Sequence, residues 1–245
     1  MPVIHANSSG IVINANQSSH ANARDASSGA NGENTTSTAF TVNSYVVGPA
    51  RGGGLAYRVD RIFMYFDTSG ITSAPTSATL SINRTTAAPV GKFRIIKSTA
   101  FGGDGGTNLA AGDFDALVGF SAGNTMDGNV TEYAGSVDAS AWGTSNAYND
   151  TDITLNSTAL SDMASNDFFI LAVINQDFDY KNIDGGVGFH GKLPHYQVAN
   201  SGTSKDPKID YVTAGYGNDV IGLASANIGE INAVATGDIA ELNGL

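Results

Sequence analysis

Apolar and polar residues alternate cleanly over Ser77-Ala78-Thr79-Leu80-Ser81-Ile82-Asn83, which puts Ala78, Leu80 and Ile82 on one face of a strand. Four other segments read as strands: Phe40 to Val47, ending at Gly48-Pro49; Lys92 to Lys97; Thr151 to Leu155; and Lys208 to Thr213. Two runs are apolar without alternation, Ile62 to Phe66 and Phe168 to Ile174. Such runs predict strands buried on both faces, the second of them central. Ser157 to Ala164 predicts two helical turns capped by Ser157 or Asn156. Gly102 to Asp115 reads as a loop. Residues 5 to 39 are rich in Ala, Asn, Ser and Gly around one apolar island, Ile11-Val12-Ile13, and read as an arm or a first strand with a long loop. Short strands joined by glycine-rich turns predict an all-β, two-sheet, jelly-roll-like sandwich. The expected organisation is an arm and first strand over 1–39, the sandwich over 40–216 and a tail over 217–245.

An 11-residue repeat fills the tail. Val220, Ile231 and Leu242 correspond, as do Leu223 and Val234, and Ile228 and Ile239. Apolar spacings of 4-4-3 are those of a right-handed helical supercoil. Glycines at 222, 229, 237 and 244 oppose it, each by about 1 kcal/mol relative to alanine. These seven apolar positions are therefore expected to order against a partner, as an oligomerisation or docking strip. A frayed tail is the alternative.

The chain of 245 residues is long enough to bury a core without metal or disulfide staples, and it has no cysteine. Its net charge of −11 excludes binding to nucleic acid by counterion release and disfavours anionic membranes. Met1 to His5 lack a basic segment and an apolar core, so no Sec signal is expected, and no apolar run reaches membrane-spanning length.

Arg61 to Asp67, followed by Ser77 to Ile82 and later by Ile153 to Asn156 and Phe168 to Ile174, resembles the DNRLRE domain over about residues 10 to 214. The resemblance implies a jelly roll similar to carbohydrate-binding modules, an accessory without catalysis. The tail resembles the alanine-, asparagine- and glycine-rich repeats that close structural proteins of marine tailed phages. That implies a virion exterior: a capsid decoration or cement protein, a head fibre or a tail-associated protein. The expected partners are further copies of the chain, as a homo-oligomer and most simply a trimer, and other virion proteins. The competing reading is a glycan-binding adhesion module for a host surface; a secreted bacterial surface protein ranks below it.

No chemistry-bearing motif points to an enzyme. Gly-x-Ser-x-Gly is absent, and Gly52-Gly53-Gly54 lacks the lysine and helix of a phosphate loop. No cofactor is expected, with calcium as the exception weighed: Asp177, Asp179 and Asp184 follow the most apolar strand and can supply oxygen ligands. Asp is also an ordinary turn former. His190 and His195 lack the spacing of a zinc site. Trp142, Tyr148, Tyr180 and Tyr196 fall in predicted loops, where they can stack on sugars or, alternatively, cap the core or fill a subunit contact.

Overall fold

A computed structural model describes residues 2–29, 31–34, 39–51, 53–85, 87–138, 142, 147–148, 153–196, 205–213, 230–231 and 234–235. Strands β1 (Val3–His5), β2 (Ser8–Gln17), β3 (Asn31–Asn34), β4 (Ala39–Pro49), β5 (Leu55–Asp67), β6 (Ser77–Ser81), β7 (Lys92–Lys97), β8 (Glu132–Asp138), β9 (Ile153–Thr154), β10 (Phe168–Asn175), β11 (Gly188–Tyr196) and β12 (Lys208–Val212) form two antiparallel sheets. Helix α1 (His20–Arg24) follows β2 and α2 (Ser157–Ser165) follows β9. Asn156 caps α2, its side chain accepting from the Ala159 N–H, as the capping rule predicts. Among the described residues no helix is long and apolar enough to cross a membrane.

The smaller sheet runs β1-β12-β6-β9. In the larger sheet β5 is the trunk. One edge pairs with β2, which carries β3. The other edge is shared: Leu55 to Arg58 pair with β4, and Ile62 to Asp67 pair with β10. From there the sheet forks into β4-β11 and β10-β7-β8. The architecture is the expected jelly-roll-like sandwich.

Both apolar runs are buried on both faces. Ile62, Met64, Phe66, Phe169, Leu171 and Val173 face the smaller sheet, meeting Ala78, Leu80, Ile153 and Ile209. Val59, Phe63, Ile170, Ala172 and Ile174 face the other way. That outer face is covered by α1 and by the irregular chain between β7 and β8, through Phe101, Leu109, Phe114, Leu117 and Met126. The loop read over Gly102 to Asp115 is thus a packed third layer.

The N-terminal segment is more regular than its composition suggests. β2 runs along β5 from Ser8 opposite Tyr65 to Gln17 opposite Tyr57. Its small polar residues Ser9 and Asn14 are buried, and the Asn14 amide donates to the Asn22 and Ala23 carbonyls at the α1 end. Ile11 and Val12 bury one on each face of the sheet, and backbone pairing with β5 carries the strand through its polar remainder.

Candidate functional site

The chain leaves β10 through a π-helical turn, Gln176–Tyr180, whose first N–H groups, those of Asp177 and Phe178, donate to the Asn175 side chain at 3.0 Å each. This turn separates the acids that follow the strand. Asp177 points to solvent and pairs with Lys181 at 3.3 Å. Asp179 is fully buried and receives a bidentate bond from Arg61: Nε to Oδ2 at 2.8 Å and Nη2 to Oδ1 at 2.7 Å. Arg61 also donates to the carbonyls of Phe114 and Arg24, with its guanidinium 4.2 Å from the Phe114 ring centroid. Arg24, equally buried, donates to the Asp179 and Asn124 carbonyls and pairs with Asp25.

Asp184 accepts from the Tyr45 hydroxyl at 3.2 Å and the Tyr57 hydroxyl at 3.3 Å. Asp177, Asp179 and Asp184 are therefore not brought together as a calcium site. Their charges are taken up by a lysine, two arginines and two phenols. Among the described residues no group of three or more His, Asp or Glu side chains is placed to hold a metal. Asp104 and Asp113 close turns, accepting from the Gly106 and Ala110 N–H groups.

The loop aromatics are also committed elsewhere. Trp142 is fully buried, edge-on to Phe93 at 5.3 Å between ring centroids. Tyr180 is buried with Arg94 over its ring at 4.6 Å, its hydroxyl donating to Asp127 and Glu132. Neither presents a face to a sugar, because each ring is buried within one of the two apolar clusters. Tyr148 is half-buried and donates to the Asp206 carbonyl at 2.9 Å; burial, then the Asp206 carboxylate, pushes its phenol up to about 12. Tyr196 lies in β11 opposite Ala39.

Of the tail positions, Val220, Leu223, Ile228, Ile239 and Leu242 lie outside the described residues. Ile231 pairs with Val234 in a short antiparallel ladder, β13 (Glu230–Ile231) with β14 (Val234–Ala235). The helical reading is corrected at those positions: the backbone there is extended, in line with the helix-weakening glycines at 229 and 237.

What the sequence reading missed is the loop between the π turn and β11. Tyr45 stacks on Phe178 at 4.7 Å, and His190 packs on Phe178 at 4.7 Å. His20 meets Tyr45 edge-on, and its Nε2 lies 2.8 Å from the Phe178 carbonyl. Over this stack the loop is tied down at Asp184, by the Gly186 N–H to Asp184 Oδ1 at 3.1 Å, and by Asn182 Nδ2 to the Gly123 carbonyl at 3.1 Å. Burial, with Asp184 alongside, raises the Tyr45 phenol well above its ordinary value, so it stays a donor. The apolar side chains of this loop and of the start of β11 are exposed: Ile183 by 47%, Val187 by 65% and Phe189 by 69%. Three apolar residues are thus exposed within seven positions, beside a loop tied at Asn182 and Asp184. The signal in sequence was an apolar residue set between glycines, Gly186-Val187-Gly188-Phe189. Among known proteins, no family model and no curated sequence matches this chain.

Proposed function

We propose that the protein is a structural subunit of a phage virion exterior that acts by contact between copies rather than by catalysis. The observation that carries this reading is the exposure of Ile183, Val187 and Phe189 on the loop and the start of β11, beside the Asp184 bonds that tie the loop. Bonds that hold the loop in the free subunit lower the entropic cost of burying these side chains against a second copy. A second copy of the chain is the occupant, since closed homo-oligomers are the common outcome of a self-complementary apolar patch. The virion setting rests on the resemblance of the tail repeats to those of tailed-phage structural proteins. Native mass spectrometry of the full chain tests the proposal. A trimer or other closed oligomer is expected, shifted toward monomer in V187S/F189S with the thermal midpoint of the monomer fold retained. A monomeric wild type, or an oligomer indifferent to the double substitution, refutes it.

A further inference from the structure

A second feature lies away from these exposed side chains, where β2 meets the turn between β4 and β5. The β2–β5 register slips between Asn14 and Gln17, and Asn16 within that bulge sits at φ 59°. Asparagine tolerates the left-handed region better than most residues, but such a conformation still needs support. Bulges re-aim side chains, often beside binding sites. This one forms a lip of an open groove of about 680 Å³, completed by Ser18, Pro49, Arg51 and Leu55. That volume is within the roughly 300–1,000 Å³ range of small-ligand sites. An adjoining hollow of about 400 Å³ shares Gln17 and continues toward Asn22.

The groove's polar groups are left uncommitted in a consistent way. Both Gln17 amide hydrogens are used, on Asn14 Oδ1 at 2.8 Å and the Ala15 carbonyl at 3.1 Å, which leaves its Oε1 as an acceptor. Ser18 Oγ accepts from Asn22 Nδ2 at 3.0 Å and keeps its own hydrogen to donate. Among the described residues Arg51 has no ion pair, whereas Arg24, Arg58, Arg61, Arg94, Lys97, Lys181 and Lys208 all do. Lys92 and Lys192 likewise have none among the described residues, but Arg51 is the basic residue that lines this groove. Leu55, 39% exposed, and Pro49 add an apolar surface beside it.

We infer that this groove binds an acidic saccharide, with Arg51 taking the carboxylate, the Asn16, Gln17 and Ser18 side chains taking hydroxyls, and Leu55 and Pro49 meeting the C–H face. A guanidinium matches a carboxylate fork to fork, and a lone one suits a single carboxylate better than a polyanion. The inference is independent of the assembly reading.

Calorimetric titration of the full chain tests it with 3′-sialyllactose and with a disaccharide carrying a single glucuronate, each against a neutral oligosaccharide of similar length. At least one acidic probe is expected to bind, about ten-fold or more tightly than its neutral counterpart, and more weakly as salt rises. R51Q is expected to abolish that preference. N16G, which keeps the left-handed backbone and removes only the amide, is expected to weaken binding to both members of the pair. Thermal midpoints of both variants, close to wild type, establish that the fold is intact. Failure of both acidic probes to bind, equal binding of acidic and neutral sugars, or an unchanged preference in R51Q overturns the inference.

Discussion

Replacing Asp179 by asparagine removes one negative charge and changes almost no volume. In the wild type that carboxylate makes two bonds to Arg61 of 2.7 and 2.8 Å and lies 3.6 Å from the Arg24 Nε. Arg24, Arg61 and Asp179 are all fully shielded from water. After the substitution Arg24 keeps the Asp25 carboxylate, while Arg61 loses the carboxylate it was paired with. Their bonds to the Asp179, Phe114 and Asn124 carbonyls survive, so the loss is electrostatic rather than a loss of packing. Breaking a buried pair from one side costs about 3–5 kcal/mol, against a total stability of about 5–15 kcal/mol. With a urea slope near the upper end of the usual range, about 3 kcal/mol per M, the midpoint falls by about 1–2 M. Circular dichroism in urea measures it. The double variant R61M/D179L removes both charges and is expected to recover most of the loss, because well-packed apolar pairs replace buried ion pairs at little cost. A D179N midpoint indistinguishable from wild type, or a double variant as unstable as the single, refutes the reasoning. Calcium ligation by Asp179 has a different signature: a chelator alone would reproduce the loss in the wild type.

Two further outcomes are expected. The phenols of Tyr45, Tyr133 and Tyr180 are all raised above their ordinary value of 10.0, first by burial and then by Asp184, Asp162 and Glu132. A raised folded-state value means full stability below about pH 10, the unfolded value, and loss as pH climbs toward the folded one; phenolate absorbance and loss of strand signal should rise together, and ionisation of these residues in an intact fold would contradict the burial argument. Gly119 has φ +89°, and a Cβ there would lie 2.2 Å from the Asn129 carbonyl oxygen, so G119A is expected to cost about 2–4 kcal/mol, or about 5–15 °C in a thermal scan. Gly123, with φ +79° and open space around it, isolates the backbone part of that cost, and equal losses in G119A and G123A would refute the steric part.

The parts of the fold legible in sequence are those where apolar pattern and burial coincide. The runs at Ile62 to Phe66 and Phe168 to Ile174 announced strands with two covered faces, and Asn156 announced its helix. β2 was legible only at Ile11-Val12-Ile13, the basis of the first-strand alternative; the serine, glycine and asparagine around that island hid its length. β11 was hidden altogether, because Gly188 to Tyr196 contains glycine and proline. Outside the island both strands are specified by the partners they lie against. The site residues failed on direction. Asp177 and Asp179 follow the strand closely enough in sequence to suggest shared ligation, but the π turn sends one to water and the other inward.

The buried charges also explain why the outer layer has a fixed position at all. Between β7 and β8 the chain covers a sheet face without forming a sheet, so it lacks the repeated backbone pairing that holds the opposite layer. Arg61 rises from the trunk strand and binds Phe114 in that layer, Arg24 in α1 and Asp179 in the π turn, while Arg24 reaches Asn124. One cluster therefore fastens three segments that sequence separates widely. Apolar contacts alone would stabilise such a cover in many registers, whereas forked bonds with fixed geometry select one. The π turn is common to this cluster and to the exposed loop beyond it: Asp179 and Asp184 are five positions apart, one locked to arginines and the other to tyrosines. The loop thus starts from a turn that the buried ion pair anchors, and on the proposed assembly through that loop D179N is expected to weaken association between copies at denaturant concentrations that leave the subunit folded.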